Sequence, residues 1–205
     1  TLPTSCRTVS SVVVNSKPAS ISGATAVCKN SSISVSNSTA GGSWSSSATG
    51  VAMVDGSGVV TGVDAGTARI TYTLPTGCYS TQLTTVNALP AAITGNSSIC
   101  QGNTITLNNA TGGGSWSSSN PAILAVSDTG LATGILPGVA AVRYTLTPGC
   151  AQTMTINVDD LPLPIAGPNT VCVGGSVMQS TLSAGGFWSS ASPNASVSFL
   201  GEVTG

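Results

Sequence analysis

The 205-residue chain has no histidine, and charged side chains make up only 5% of it, five basic against six acidic. Ordinary soluble domains carry roughly a quarter charged residues. So even a charge balance leaves no electrostatic footprint for nucleic acid and no basic amphipathic stretch for an anionic membrane surface. No apolar run approaches the roughly 18 residues of a membrane-spanning helix, so membrane insertion is not expected. The first residues, TLPTSCRTV, lack the charged and apolar regions of a signal peptide, and the chain reads as an interior piece of something longer. Aromatic residues are scarce at 4%, and the C-x-x-C spacing of zinc and thioredoxin-type sites never occurs.

Catalysis needs groups that titrate or coordinate. The six carboxylates are Asp55, Asp64, Asp128, Asp159, Asp160 and Glu202. They form no recurring pair for acid–base work or calcium, and serines without a base are not activated nucleophiles. No enzyme activity, cofactor or metal is expected.

What the sequence does have is repetition. GGSWSSS at 41–47 returns at 113–119 and again as GGFWSSA at 185–191, so Trp44, Trp116 and Trp188 stand 72 residues apart. The same period aligns Pro18, Pro90 and Pro162, then Cys28, Cys100 and Cys172, then Cys6, Cys78 and Cys150. Such a period marks an array of one structural unit. The frame predicts full units at 18–89 and 90–161. Residues 1–17 are the closing strand of a preceding unit, and 162–205 are a unit that stops before its final strands.

Within a unit the signals are short and β-like: SISV at 32–35, GSWS at 42–45, GVVTG at 58–62, ARITYTL at 68–74 and STQLTTV at 80–86. Gly, Pro, Asn and Asp punctuate them every few residues, and helices have no place to start. About seven strands fit. One sheet alone would leave an apolar face in water, so the expectation is an all-β fold with two sheets packed face to face. A proline in each junction, NALPAAITG and DDLPLPIAG, favours a stiff connection, and the array is expected to form an elongated rod.

The run GGSWSSSATGVAMVDGSGVVTGVDAGTARITY, echoed by WSSSNPAILAVSDTGLATGILPGVAAVRYT, resembles the bacterial immunoglobulin-like domains of group 2. The proline junction and the cysteine frame resemble repeat modules of long surface proteins of gliding bacteria. The resemblance implies an immunoglobulin-like sandwich and a segment of a cell-surface adhesin stalk or filament. Its partners would be neighbouring repeats of the same chain, lateral copies in a filament, and glycans or surfaces reached through a tip outside these residues. A glycan- or protein-binding module of a secreted protein is the alternative.

Six cysteines in a weakly charged chain favour an oxidising, extracellular compartment. Three pairings respect the repeat: Cys28 with Cys78 inside a unit, Cys78 with Cys100 across a junction, and Cys28 with Cys150 between units. The turns holding Cys28 and Cys78 lie at opposite ends of an immunoglobulin-like sandwich, which favours the inter-unit pair. A shift of the strands by a few residues would restore the pair within one unit, so both stay open. Cys6, Cys100 and Cys172 are candidates by the same frame. Trp44, Trp116 and Trp188 are expected in the core, since one tryptophan on the third strand of a small sandwich ordinarily belongs there. The sequons at Asn30, Asn37, Asn96, Asn109 and Asn194 are frequent matches in a Ser/Thr-rich chain, and Lys17 and Lys29 have no counterpart in the second unit, which argues against isopeptide crosslinks.

Overall fold

The computed structural model describes residues 10–205; Cys6 and the rest of 1–9 lie outside the described residues. The first eight strands are β1 (Ser22–Gly23), β2 (Ala26–Cys28), β3 (Ser32–Ser36), β4 (Ser43–Ser46), β5 (Ala52–Val54), β6 (Val59–Gly62), β7 (Gly66–Thr73) and β8 (Tyr79–Asn87). They form two sheets, ordered β1-β3-β6-β5 and β2-β8-β7-β4. The chain changes sheets between β1 and β2. β1 runs antiparallel to β3, whereas β2 runs parallel to β8 and sets Cys28 opposite Asn87.

Alternation decides which face is buried. On β7, Ala68, Ile70 and Tyr72 point inward while Arg69 and Thr71 face outward; on β8, Ser80, Thr84 and Val86 point inward. Ala68, Ile70 and Val86 meet Val27, Val35, Ala52 and Val60 between the sheets. The result is an immunoglobulin-like β-sandwich.

A second sandwich follows, from β9 (Ser98–Cys100), β10 (Thr104–Thr106), β11 (Ser115–Ser118), β12 (Leu124–Val126), β13 (Leu131–Gly134), β14 (Gly138–Thr145) and β15 (Ala151–Asp159). Its sheets are β10-β13-β12 and β11-β14-β15-β9, and a single Thr94–Asn108 bridge stands where the first sandwich has β1. Leu107, Leu124, Val142, Ile156 and Val158 fill its core. The stretch 162–205 holds one sheet, made from β16 (Ser176–Met178), β17 (Ser196–Val197) and β18 (Glu202–Thr204) in the order β16-β18-β17. Nothing among the described residues takes the place of β14 and β15 here, so Ile165, Met178, Phe187 and Leu200 line an open cleft.

Two expectations need correction. The first sandwich has eight strands rather than seven, because two- and three-residue strands at β1, β2 and β5 lie below what periodicity can detect. GSWS is a strand shifted by one residue, Ser43–Ser46. Residues 10–17 carry no strand among the described residues, and Val12, Val13 and Val14 are exposed.

Candidate functional site

The chemistry of this chain concentrates where the two sandwiches meet. Cys28 and Cys150 form a disulfide with their Cα atoms 5.6 Å apart, well within the range such bonds tolerate. Among the described residues Cys78, Cys100 and Cys172 are free, so the pairings Cys28–Cys78 and Cys78–Cys100 are not formed. The β7–β8 hairpin explains why. Its open end pairs Gly66 with Val86, next to Cys28, and its closed end pairs Thr73 with Tyr79, next to Cys78. At about 3.3 Å per residue, Cys28 and Cys78 are separated by the length of the hairpin, roughly 25 Å. Cys150 sits in the corresponding β14–β15 turn of the next sandwich, where the Leu146 amide donates to its carbonyl at 2.8 Å, and it is fully buried. The two sandwiches are thus joined twice, by the chain through residues 88–90 and by the disulfide.

Each sandwich also fixes the segment by which the chain enters it. The Asn37 amide donates to the Ala19 carbonyl at 2.6 Å and to the Ser80 hydroxyl at 3.2 Å, while the Asn37 side-chain oxygen accepts from the Thr39 amide at 2.9 Å. The Ala19 amide in turn donates to the Thr39 hydroxyl at 3.0 Å. Asn109, Thr111 and Ala91 repeat the arrangement at 2.5, 2.9 and 2.9 Å. In the third stretch Thr181 and Ser183 hold Leu163 in a simpler version. As sequons Asn37 and Asn109 carry no structural signal; the signal lies in the recurrence of Asn-x-Thr in both full units at the same distance from the junction proline.

Tyr72 links this clamp to the tryptophan. Its hydroxyl donates to the Thr39 carbonyl at 2.7 Å and accepts from the Gly42 amide at 2.8 Å; Tyr144 does the same with Thr111 and Gly114 at 2.6 and 2.9 Å. Trp44 lies directly across the strand pair from Tyr72, with ring centroids 4.7 Å apart, and Trp116 faces Tyr144 at the same distance. Both tryptophans are half-buried at the margin of the core, their rings resting against Gly58 and Gly130. Trp188, in the single-sheet stretch, is also half-buried and lies against Gly201.

The carboxylates are dispersed. Asp55 closes the β5–β6 turn by accepting from the Ser57 hydroxyl and from the Ser57 and Val59 amides, which holds its pKa below the ordinary carboxylate value, the Ser57 hydroxyl contributing most. Asp64 is lowered chiefly by its hydrogen bond from Lys29 at 2.9 Å, an exposed ion pair. Asp159 accepts from Ser98 and Asn157, and Asp160 from the Leu161 amide, so each is engaged locally. Asp128 and Glu202 are exposed. Among the described residues no three His, Cys, Asp or Glu side chains come together as a metal site would require. Lys17 lies beside Gly77, Cys78 and Tyr79. Asn30 takes a left-handed turn conformation with φ 63°, and Asn96 and Asn194 are exposed.

No family model matches the chain, and no curated protein matches it. Solved structures with a similar chain path include the C-terminal 282-residue fragment of intimin in complex with the intimin-binding domain of its translocated receptor: 14% identity, TM-score 0.47, covering 77% of this chain and 69% of that one. Invasin, a bacterial integrin-binding protein, is similar at 15% identity and TM-score 0.45, over 76% of this chain and 41% of its own. Domains 4 and 5 of the S-layer protein SbsC align at 15% identity and TM-score 0.34, over 70% of this chain and all of theirs. Likeness of this size goes no further than architecture.

Proposed function

We propose that this chain is a structural segment of an extracellular, cell-surface stalk or filament built from tandem immunoglobulin-like modules. The modules run 18–89 and 90–161, with 1–17 and 162–205 belonging to flanking ones. The observation that carries the reading is the Cys28–Cys150 bond between consecutive sandwiches. A single connection between modules is a hinge, and a second covalent connection removes much of its freedom to bend and twist. Such a restraint suits a load-bearing array.

Three further features support the reading. A disulfide persists in oxidising, extracytoplasmic surroundings. The clamps at Asn37 and Asn109 fix the segment leading into each sandwich. Stability in a linear array is nearly a sum of unit and neighbour terms, so length is gained by repetition alone.

Small-angle scattering of the chain before and after reduction tests this. The expected result is an extended particle, with each full module adding roughly 30–45 Å, and a broader distribution of inter-module angles once the disulfide is cleaved. A compact particle, or one indifferent to reduction, would refute it. Tryptophan fluorescence that responds to glycans would instead favour a binding module.

A further inference from the structure

Cys78 and Cys100 are unpaired here, yet each occupies a position that is bonded elsewhere in the same chain. Cys78 stands 72 residues before Cys150, and Cys100 stands 72 after Cys28. Their surroundings agree. Cys28 ends β2 opposite Asn87, and Cys100 ends β9 opposite Asp159 in the same parallel register. At the other end, the Cys78 thiol donates to the backbone carbonyl of Asn15 at 3.6 Å. Asn15 stands 72 residues before Asn87, the strand partner of bonded Cys28. The backbone that flanks the staple between the two sandwiches therefore already has its counterpart in place beside Cys78.

We propose that Cys78 and Cys100 are two half-staples, each completed by a further module of the same repeat. Cys78 takes the Cys28-position thiol of a module on its N-terminal side. Cys100 takes the Cys150-position thiol of a module on its C-terminal side. The staple is then a ladder in which every module is bonded to both neighbours through two different cysteines, and no bond closes within a module. Each rung forms from two thiols with loss of two protons and two electrons. A disulfide oxidant such as oxidised glutathione accepts the electrons and is released as two thiols.

This rests on the tandem reading above, and two extended chains test it separately. In one, a copy of residues 135–161 follows Gly205, supplying closing strands and a copy of Cys150. In the other, a copy of residues 18–72 precedes Thr1, supplying a copy of Cys28. Both are refolded in a glutathione buffer, and the free thiols are alkylated before non-reducing peptide mapping. The expected result is Cys100 linked to the added cysteine in the first chain and Cys78 linked to it in the second. In each, the linked thiol becomes inaccessible to alkylation and Cys28–Cys150 is retained. The ladder is overturned if Cys28–Cys150 forms while the added cysteine stays alkylated in both chains, or bonds within its own module to Cys172 or to a Cys78-position thiol. Loss of Cys28–Cys150 itself would overturn the tandem reading beneath it.

Discussion

The Asn37 side-chain amide holds the Ala19 carbonyl at 2.6 Å across 18 residues of chain, and Asn109 holds Ala91 in the same way. Both amides are partly shielded from water, so removing the donor leaves the carbonyl without a partner. Asn37→Ala is expected to cost about 1–3 kcal/mol, read as a lower denaturant midpoint with an unchanged slope. Asn37→Asp, which places a carboxylate against a carbonyl, should cost at least as much. An unchanged midpoint for both would mean that the clamp contributes nothing.

Thr84 is completely buried in the first core, and its hydroxyl has no hydrogen-bond partner. The second sandwich carries Ile156 at this position, also completely buried. A buried hydroxyl without a partner costs about 1–3 kcal/mol, so the near-isosteric Thr84→Val should raise the stability of the first sandwich by an amount of that order. Thermal unfolding of the variant checks this, and a lower melting temperature would contradict it.

Acid should affect the two sandwiches unequally. Asp55 has its folded pKa held below the ordinary 3.8 by the Ser57 hydroxyl and neighbouring amides. A carboxyl group depressed by folding contributes stability above its unfolded pKa and loses it as pH falls through the lower folded value. Ser127 stands in the equivalent turn of the second sandwich, where it accepts from the Leu131 amide and does not titrate. The advantage of the native chain over Asp55→Ser is therefore expected to be constant above about pH 5 and to vanish in stronger acid. Melting temperatures of both chains between pH 2 and 7 would show it, the pH limits being about those of carboxyl titration. A difference that persists at the acid end would contradict the assignment.

Gly58 is a position where the backbone and a close neighbour both demand glycine. Its φ is +86°, and an added Cβ would lie 2.4 Å from the Val35 carbonyl oxygen and 3.3 Å from the Trp44 ring. Gly77 has nearly the same backbone, φ +83°, but open space around it. Gly77→Ala should cost about 1 kcal/mol from the backbone alone, and Gly58→Ala clearly more, with a changed near-ultraviolet tryptophan signal. Equal losses would show that the Val35 and Trp44 contacts do not matter.

The long strands were legible in the sequence because alternation over six or more residues survives on β7 and β8, as in Arg69-Ile70-Thr71-Tyr72. β1 and β5 were not, since two or three residues carry no period. The tryptophans were expected inside. Trp44 and Trp116 pack half-buried against the two cores, each ring over a glycine whose added Cβ would crowd it. The cysteine pairing was reducible to alternatives and no further: it depends on which end of one sandwich meets the next, a relation that no local pattern records. The Asn-x-Thr clamp was visible as a motif and misread, because its partner is a backbone carbonyl that has no sequence signature.

Cys28 and Cys150 join consecutive sandwiches covalently. Non-reducing peptide mapping of the oxidised chain, after alkylation of its free thiols, reads that bond itself. The expected result is one linked pair containing Cys28 and Cys150, with Cys78, Cys100 and Cys172 alkylated. A peptide linking Cys28 to Cys78, or recovery of Cys28 and Cys150 as alkylated thiols, would contradict it.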